Sequence, residues 1–165
     1  MSVISRLIAA RGLPQPTLAQ TWATLAGKPM GKRLFSQLIR VMVPYSGSIA
    51  AQVEELADGH AVVTLSDHRA VRNHLNSIHA IALVNLGELT TGLAVFHRLD
   101  GQARGIVTDL RIQYLKKARG KLTARCDVEL PIIDGKILLE VPGSIENERG
   151  ELVALVWATW QLQPR

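Results

Sequence analysis

From Gly120 to Leu130 the chain reads GKLTARCDVEL. Leu122, Ala124, Cys126, Val128 and Leu130 are apolar, and Lys121, Thr123, Arg125, Asp127 and Glu129 alternate with them. A period of two is that of a strand with one face on a core. The same reading gives strands in GIVTDLRIQYL before it and in KILLEVPGSIE and ELVALVWATWQL after it, divided by turns at ARG, IIDG and NERG. Upstream, SIAAQVEELADG and HAVVTLSD read as two strands joined through Asp58 and Gly59, a hairpin signal. The late strands are expected to be connected by hairpins and antiparallel.

Before these strands the period is helical. SVISRLIAA and TLAQTWATLAG carry helical apolar spacing, separated by a break from Gly12 to Pro16. KRLFSQLIRVMV places Leu34, Leu38, Ile39 and Met42 on one side, and Pro44 and Gly47 end the run. Residues 1–46 are therefore expected to form a helical extension, and residues 47–165 the main domain. The extension is expected to pack on that domain.

Between the two groups of strands lies one helix-length segment, about Ser77 to Phe96. Ile78, Ala82, Leu86, Leu89 and Leu93 form one stripe, while Ile81, Val84 and Val95 fill other faces. A helix that is apolar all round is buried. It is the only long apolar element inside the strand array, so the expected fold is α+β, an antiparallel sheet wrapped around one central helix.

Composition narrows the class. A chain of 165 residues with 47% hydrophobic content can bury one substantial core. The single cysteine, Cys126, excludes an intrachain disulfide and a paired-cysteine zinc site, and suits a cytoplasmic setting. Nothing implies a cofactor or a resident metal. The net charge is +5, but its distribution matters more than its size. Arg6, Arg11, Lys28, Lys32, Arg33 and Arg40 lie before the first acidic residue, Glu54, so the basic excess belongs to the extension. With 4% aromatic residues and no basic face in the main domain, nucleic acid is not the expected partner. A basic amphipathic extension is also compatible with an anionic membrane surface.

Polar residues in and around the central helix are the candidates for chemistry. Glu88 lies within its most apolar stretch, where an ionised carboxylate is costly and burial raises the carboxyl pKa toward the range useful for a general base. Asn76 or Ser77 is the expected N-cap, which would leave the amides of Ile78, His79 and Ala80 as unpaired donors able to hold a developing oxyanion. Nine steps from His79 to Glu88 give about 900° of rotation and roughly 13 Å of rise, so the two groups of one helix cannot meet at one carbonyl. A shared site needs the acid of a second subunit, with two identical sites in a two-fold dimer.

The order Asn73, His79, Ala80, Glu88 within this succession of elements resembles the signature of hotdog-fold acyl-CoA thioesterases, the phenylacetate-degradation type in particular, over about residues 48–162. The resemblance implies a sheet wrapped round one helix, a homodimer that can pair further into a tetramer, and thioester hydrolysis of an acyl-CoA or acyl-carrier substrate. It implies that the Ala80 amide next to His79 is the oxyanion donor, that Asn73 places water or the carbonyl, and that Glu88 from the other subunit is the base or nucleophile. Lys116, Lys117 and Arg119 are candidates for the nucleotide phosphates. This sequence departs from the usual two glycines after the histidine, with Ala80 and Ile81 in their place, and Ile81 would narrow the approach of the acyl group. A non-catalytic acyl-binding hotdog protein and a hotdog hydroxyacyl-thioester dehydratase are the alternatives.

Overall fold

A computed structural model describes residues 16–165. The expected helix in SVISRLIAA lies outside the described residues. Among the described residues three helices come first: α1 (Leu18–Leu25), α2 (Gly31–Met42) and the single turn α3 (Pro44–Gly47). The hairpin β1 (Gln52–Ala57) and β2 (His60–Leu65) follows, then α4 (Ala80–Leu99), β3 (Ala103–Tyr114), β4 (Leu122–Asp127), β5 (Ile137–Asn147) and β6 (Leu152–Pro164).

All six strands form one antiparallel sheet in the order β1-β2-β4-β5-β6-β3. The hairpin at Asp58 and Gly59 forms as read, with Gly59 at φ +67°. β5 and β6 also form a hairpin, but β3 and β4 do not. β3 pairs with β6 at the far edge, and β4 inserts between β2 and β5. The 115–121 connection therefore spans β5 and β6 instead of making a hairpin turn. Strand periodicity fixes which face is buried, not which strand is the neighbour.

α4 packs on all six strands. By length and hydropathy it could cross a bilayer, yet the sheet surrounds it and Leu86, Ala94 and Val95 are fully buried. Gly87 lets β6 approach, because a Cβ there would lie 2.5 Å from a Val156 methyl. The alternating residues Leu122, Ala124 and Cys126 of β4 supply core, and burial pushes the Cys126 thiol up to about 12.

The extension packs on this unit through a face different from the expected one. α2 buries Phe35, Ser36 and Ile39, while Leu34 and Met42 are 48% and 67% exposed. The reason is tertiary. The Phe35 ring meets Trp22 of α1 edge-on at 4.9 Å, and the buried Ser36 Oγ accepts from the Val53 amide at 2.9 Å, tying α2 to β1. A hydroxyl thus belongs to the packed face, and two large apolar residues do not. α1 opens with a capping box at Thr17 and Gln20, and the Thr17 hydroxyl also donates to Asp100 at the carboxyl end of α4. Pro44, expected to end a helix, also begins the single turn α3, where its fixed φ suits the first helical position.

Candidate functional site

The start of α4 is set by the loop before it. Asn73 Oδ1 accepts from the Leu75 amide at 2.9 Å and from the Ser77 amide and hydroxyl at 3.3 and 3.2 Å. Asn76 adopts φ +52°, and Ile78 bridges to Arg72 as extended chain. The helix cannot begin inside such a loop. The N-cap is His79, not Asn76 or Ser77, and α4 runs from Ala80 to Leu99, starting and ending three residues later than expected.

This shift changes which amides are free. The Ile78 amide donates to Ala118 O at 2.8 Å and the His79 amide to Val71 O at 2.7 Å. His79 Nδ1 accepts from the Ile81 amide at 3.1 Å, so the ring caps its own helix. Of the three expected donors, only the Ala80 amide is left without an acceptor among the described residues. It sits at the positive end of a twenty-residue helix. Asn73 shapes this loop with its carbonyl oxygen.

Ile81 is 53% exposed beside that amide. The bond from Ile78 to Ala118 anchors the 116–119 loop against the helix start, bringing Lys117 and Arg119 beside it. Gly120 in the same loop donates to Asp67, whose carboxyl is held below its usual range by the Arg72 guanidinium. Lys116 is engaged elsewhere, 2.8 Å from Glu151. Tyr114, at the end of β3, donates from its hydroxyl to Ala80 O at 3.2 Å.

Two turns further along α4, Glu88 is half-buried. The one hydrogen-bond partner of its carboxylate among the described residues is Ser46, whose hydroxyl donates to Oε2 at 3.3 Å. Burial raises its pKa from the ordinary value, and the Ser46 bond opposes the rise. One turn earlier, the buried Asn85 donates from Nδ2 to Tyr45 O at 3.2 Å, leaving Oδ1 without a partner among the described residues. The turn α3 is thus pinned to α4 by two polar contacts.

Glu88 and Ser46 open on a cavity of about 330 Å³, otherwise lined by apolar side chains and Gly92. Its walls come from Ile39, Met42 and Val43 of the extension, Leu89, Leu93 and Phe96 of α4, and Trp160 of β6. Sequence reading found Glu88 and missed Ser46 and Asn85. Asn85 carried the same signal as Glu88, a polar residue in an all-apolar helix. Ser46 carried none, because only the packing of α3 on α4 brings it there.

Within one chain the Ala80 amide and Glu88 lie eight residues apart, about 12 Å along the helix axis. The structure thus brings Asn73, His79, Ala80, Ile81, Lys117 and Arg119 together at one end of α4, and places Glu88 with Ser46 and Asn85 at its middle.

Comparison with known proteins agrees with this architecture. The chain matches the family described as a domain of unknown function, DUF4442, over residues 31–162. No curated protein matches it. Among solved structures it resembles the structural-genomics protein APC5556, with 28% identity over 90% of this chain and 99% of that one and a TM-score of 0.76. It resembles PA5026 from Pseudomonas aeruginosa, called a probable thioesterase, with 22% identity, coverage of 84% and 97%, and a TM-score of 0.72. It also resembles the thioesterase HI1161 from Haemophilus influenzae, with 18% identity, coverage of 85% and 95%, and a TM-score of 0.68. A six-stranded antiparallel sheet closed round one long helix, shared with thioesterase-family hotdog proteins and matched over four-fifths of its length by one family, makes this chain a hotdog-fold member of the DUF4442 family.

Proposed function

We propose that the protein hydrolyses acyl thioesters, with coenzyme A or an acyl carrier as the thiol, at sites shared between two subunits. The observation that carries this reading is Glu88, a carboxylate with one weak donor at the edge of an apolar cavity, its pKa raised by burial toward that of a general base. The thioester oxygen would accept from the Ala80 amide, which has no competing acceptor among the described residues and gains from the helix dipole. The partner's carboxylate would activate water or attack the carbonyl carbon. Asn73 keeps its side-chain NH2 for the water or carbonyl, and Lys117 and Arg119 flank the nucleotide phosphates; Lys116, paired with Glu151, contributes less.

The need for a second subunit follows from the helix itself, since Ala80 and Glu88 of one chain are too far apart along the axis. β3 supports a dimer. Among the described residues it pairs only with β6; Leu110 and Tyr114, 40% and 46% exposed, share one of its faces, and the bulge between Val107 and Asp109 puts Ile106, 60% exposed, on the other. An uncovered apolar edge strand is a pairing surface. Tyr114 also ties this edge to Ala80, beside the oxyanion donor. A tetramer is compatible with this pairing. A cytoplasmic setting belongs to the same reading and is supported by Cys126 being a buried free thiol.

Thiol release from a panel of acyl-CoA esters tests the proposal. Release lowered at least a hundredfold in Glu88→Gln supports it, and undiminished release removes Glu88 from the mechanism. Sedimentation should give a dimer, and Leu110→Asp should weaken it.

A second reading, an acyl-binding protein without turnover, is favoured by one observation: Ile81 stands exposed next to the donor amide. Binding of acyl-CoA without thiol release would select it. The dehydratase alternative draws less support, because the His79 ring it would need as an acid–base group has Nδ1 turned onto its own helix.

Membrane contact of the extension is supported by a second feature. Met30, Leu34, Val41, Met42 and Tyr45 are exposed apolar residues on a segment whose charges are all basic. Co-sedimentation with anionic vesicles, lost on Lys32→Glu with Arg33→Glu, tests it.

A further inference from the structure

The helical extension is more than an appendage, because it forms one side of the cavity at Glu88. The opposite side is the stripe Glu88, Gly92 and Phe96 of α4, residues four apart on one face. Gly92 has no side chain to fill the space, and a Cβ there would stand only 3.0 Å from the Trp160 ring, so the floor of the cavity is the indole itself. Phe96 meets that indole edge-on at 5.2 Å and fixes it. The two ends differ in chemistry: Glu88 and Ser46 lie at one, and hydrocarbon walls at the other.

Resting on the thioesterase reading, we propose that this cavity is an acyl-chain slot within each subunit, built jointly by the extension and α4. It takes an unbranched, unsubstituted medium-length chain. The polarity decides what kind of chain. Beyond Glu88 and Ser46 the only side-chain polar group of the walls among the described residues is the Trp160 indole N–H, which already donates to Thr91, so a tail carrying a hydroxyl or carboxylate would lose its water without replacement. The length follows from the stripe, since eight residues of helix from Glu88 to Phe96 span about 12 Å, the reach of roughly ten extended carbons. The volume, about 330 Å³, lies in the range of small-molecule pockets. The slot begins at the carboxylate proposed for the chemistry, so the thioester carbon and the first methylenes would lie where Glu88 acts. Met42 and Val43, 67% and 44% exposed, form its lip.

The experiment measures selectivity and binding separately. With the full chain, kcat/KM for thiol release should rise roughly twofold to fourfold for each methylene from butanoyl-CoA to about decanoyl-CoA and then level off. A 10-hydroxydecanoyl ester should fall at least tenfold below the decanoyl one. Met42→Trp or Val43→Trp, at exposed lip residues where a larger ring need not disturb the core, should collapse the decanoyl-to-butanoyl ratio at least tenfold. Calorimetry on the Glu88→Gln chain should find decanoyl-CoA bound at least tenfold more tightly than butanoyl-CoA, and this readout needs no turnover. Absence of thiol release from every ester would refute the thioesterase reading while leaving the slot to be judged by binding. A flat chain-length profile, or equal affinity for the two esters, would overturn the slot and leave the thioesterase reading standing. A ratio unchanged in both lip variants would likewise overturn it.

Discussion

Removing the Ser46 hydroxyl isolates what favours the charged form of Glu88. A hydrogen bond to a charged group contributes roughly 1.5–3 kcal/mol. At 3.3 Å this one is longer than the usual O–H···O distance, so about 1 kcal/mol is the better figure. Burial raises the Glu88 pKa above its ordinary 4.5, and Ser46 partly offsets that rise. Because the folded-state value lies above the unfolded one, the associated stability is fully present below about pH 4.5 and is lost as the pH climbs through the folded value. Ser46→Ala should deepen that loss and extend it to higher pH. The melting temperatures of variant and wild type should therefore differ more at pH 8 than at pH 4. The extra gap is about 1 kcal/mol, or about 2–4 °C for a chain of this size. In the Glu88→Gln background, where nothing at this position ionises, the pH-dependent part should vanish. In thioester hydrolysis, Ser46→Ala should move the acid limb of the pH–rate profile upward and lower the rate below that pH roughly fivefold. A gap equal at both pH values, or wider at pH 4, would refute the assignment of Ser46 as the donor to the Glu88 carboxylate.

Ala80→Pro removes only the proposed oxyanion donor. Proline is tolerated at the first helical position, and His79 before it has the extended ψ of 141° that proline requires. The melting temperature should stay within a few degrees while kcat falls about a hundredfold to a thousandfold, and retained kcat would exclude the amide. His79→Ala removes the cap on the Ile81 amide and should cost about 1 kcal/mol in denaturant unfolding. Gly87→Ala drives a Cβ into Val156 and should cost roughly 1–3 kcal/mol by the same measurement.

Local sequence determined the elements and little of their arrangement. The two-residue period of Leu122, Ala124 and Cys126 and the all-round apolarity of Ile81 to Val95 each record one environment, a half-buried strand and a wrapped helix. These are properties of single segments, and they appear in the structure close to where the pattern put them. Glu88 was legible for the same reason: a carboxylate in a helix with no polar face conflicts with its surroundings. Strand order was not legible, because β3 and β4 alternate alike whether or not they are neighbours. Nor was the helix start. Asn76 and Ser77 are good caps in isolation, but the bridge from Ile78 to Arg72 and the bond from Ile78 to Ala118 hold that stretch extended and move the free amide to Ala80 alone. The packed face of α2 was decided by Trp22 and Val53, which lie far from it in the chain. Ser46 shows the limit most plainly. Its hydroxyl reaches a carboxylate 42 residues away only after α3 has docked on α4, and no periodicity encodes a contact made by two elements folding together.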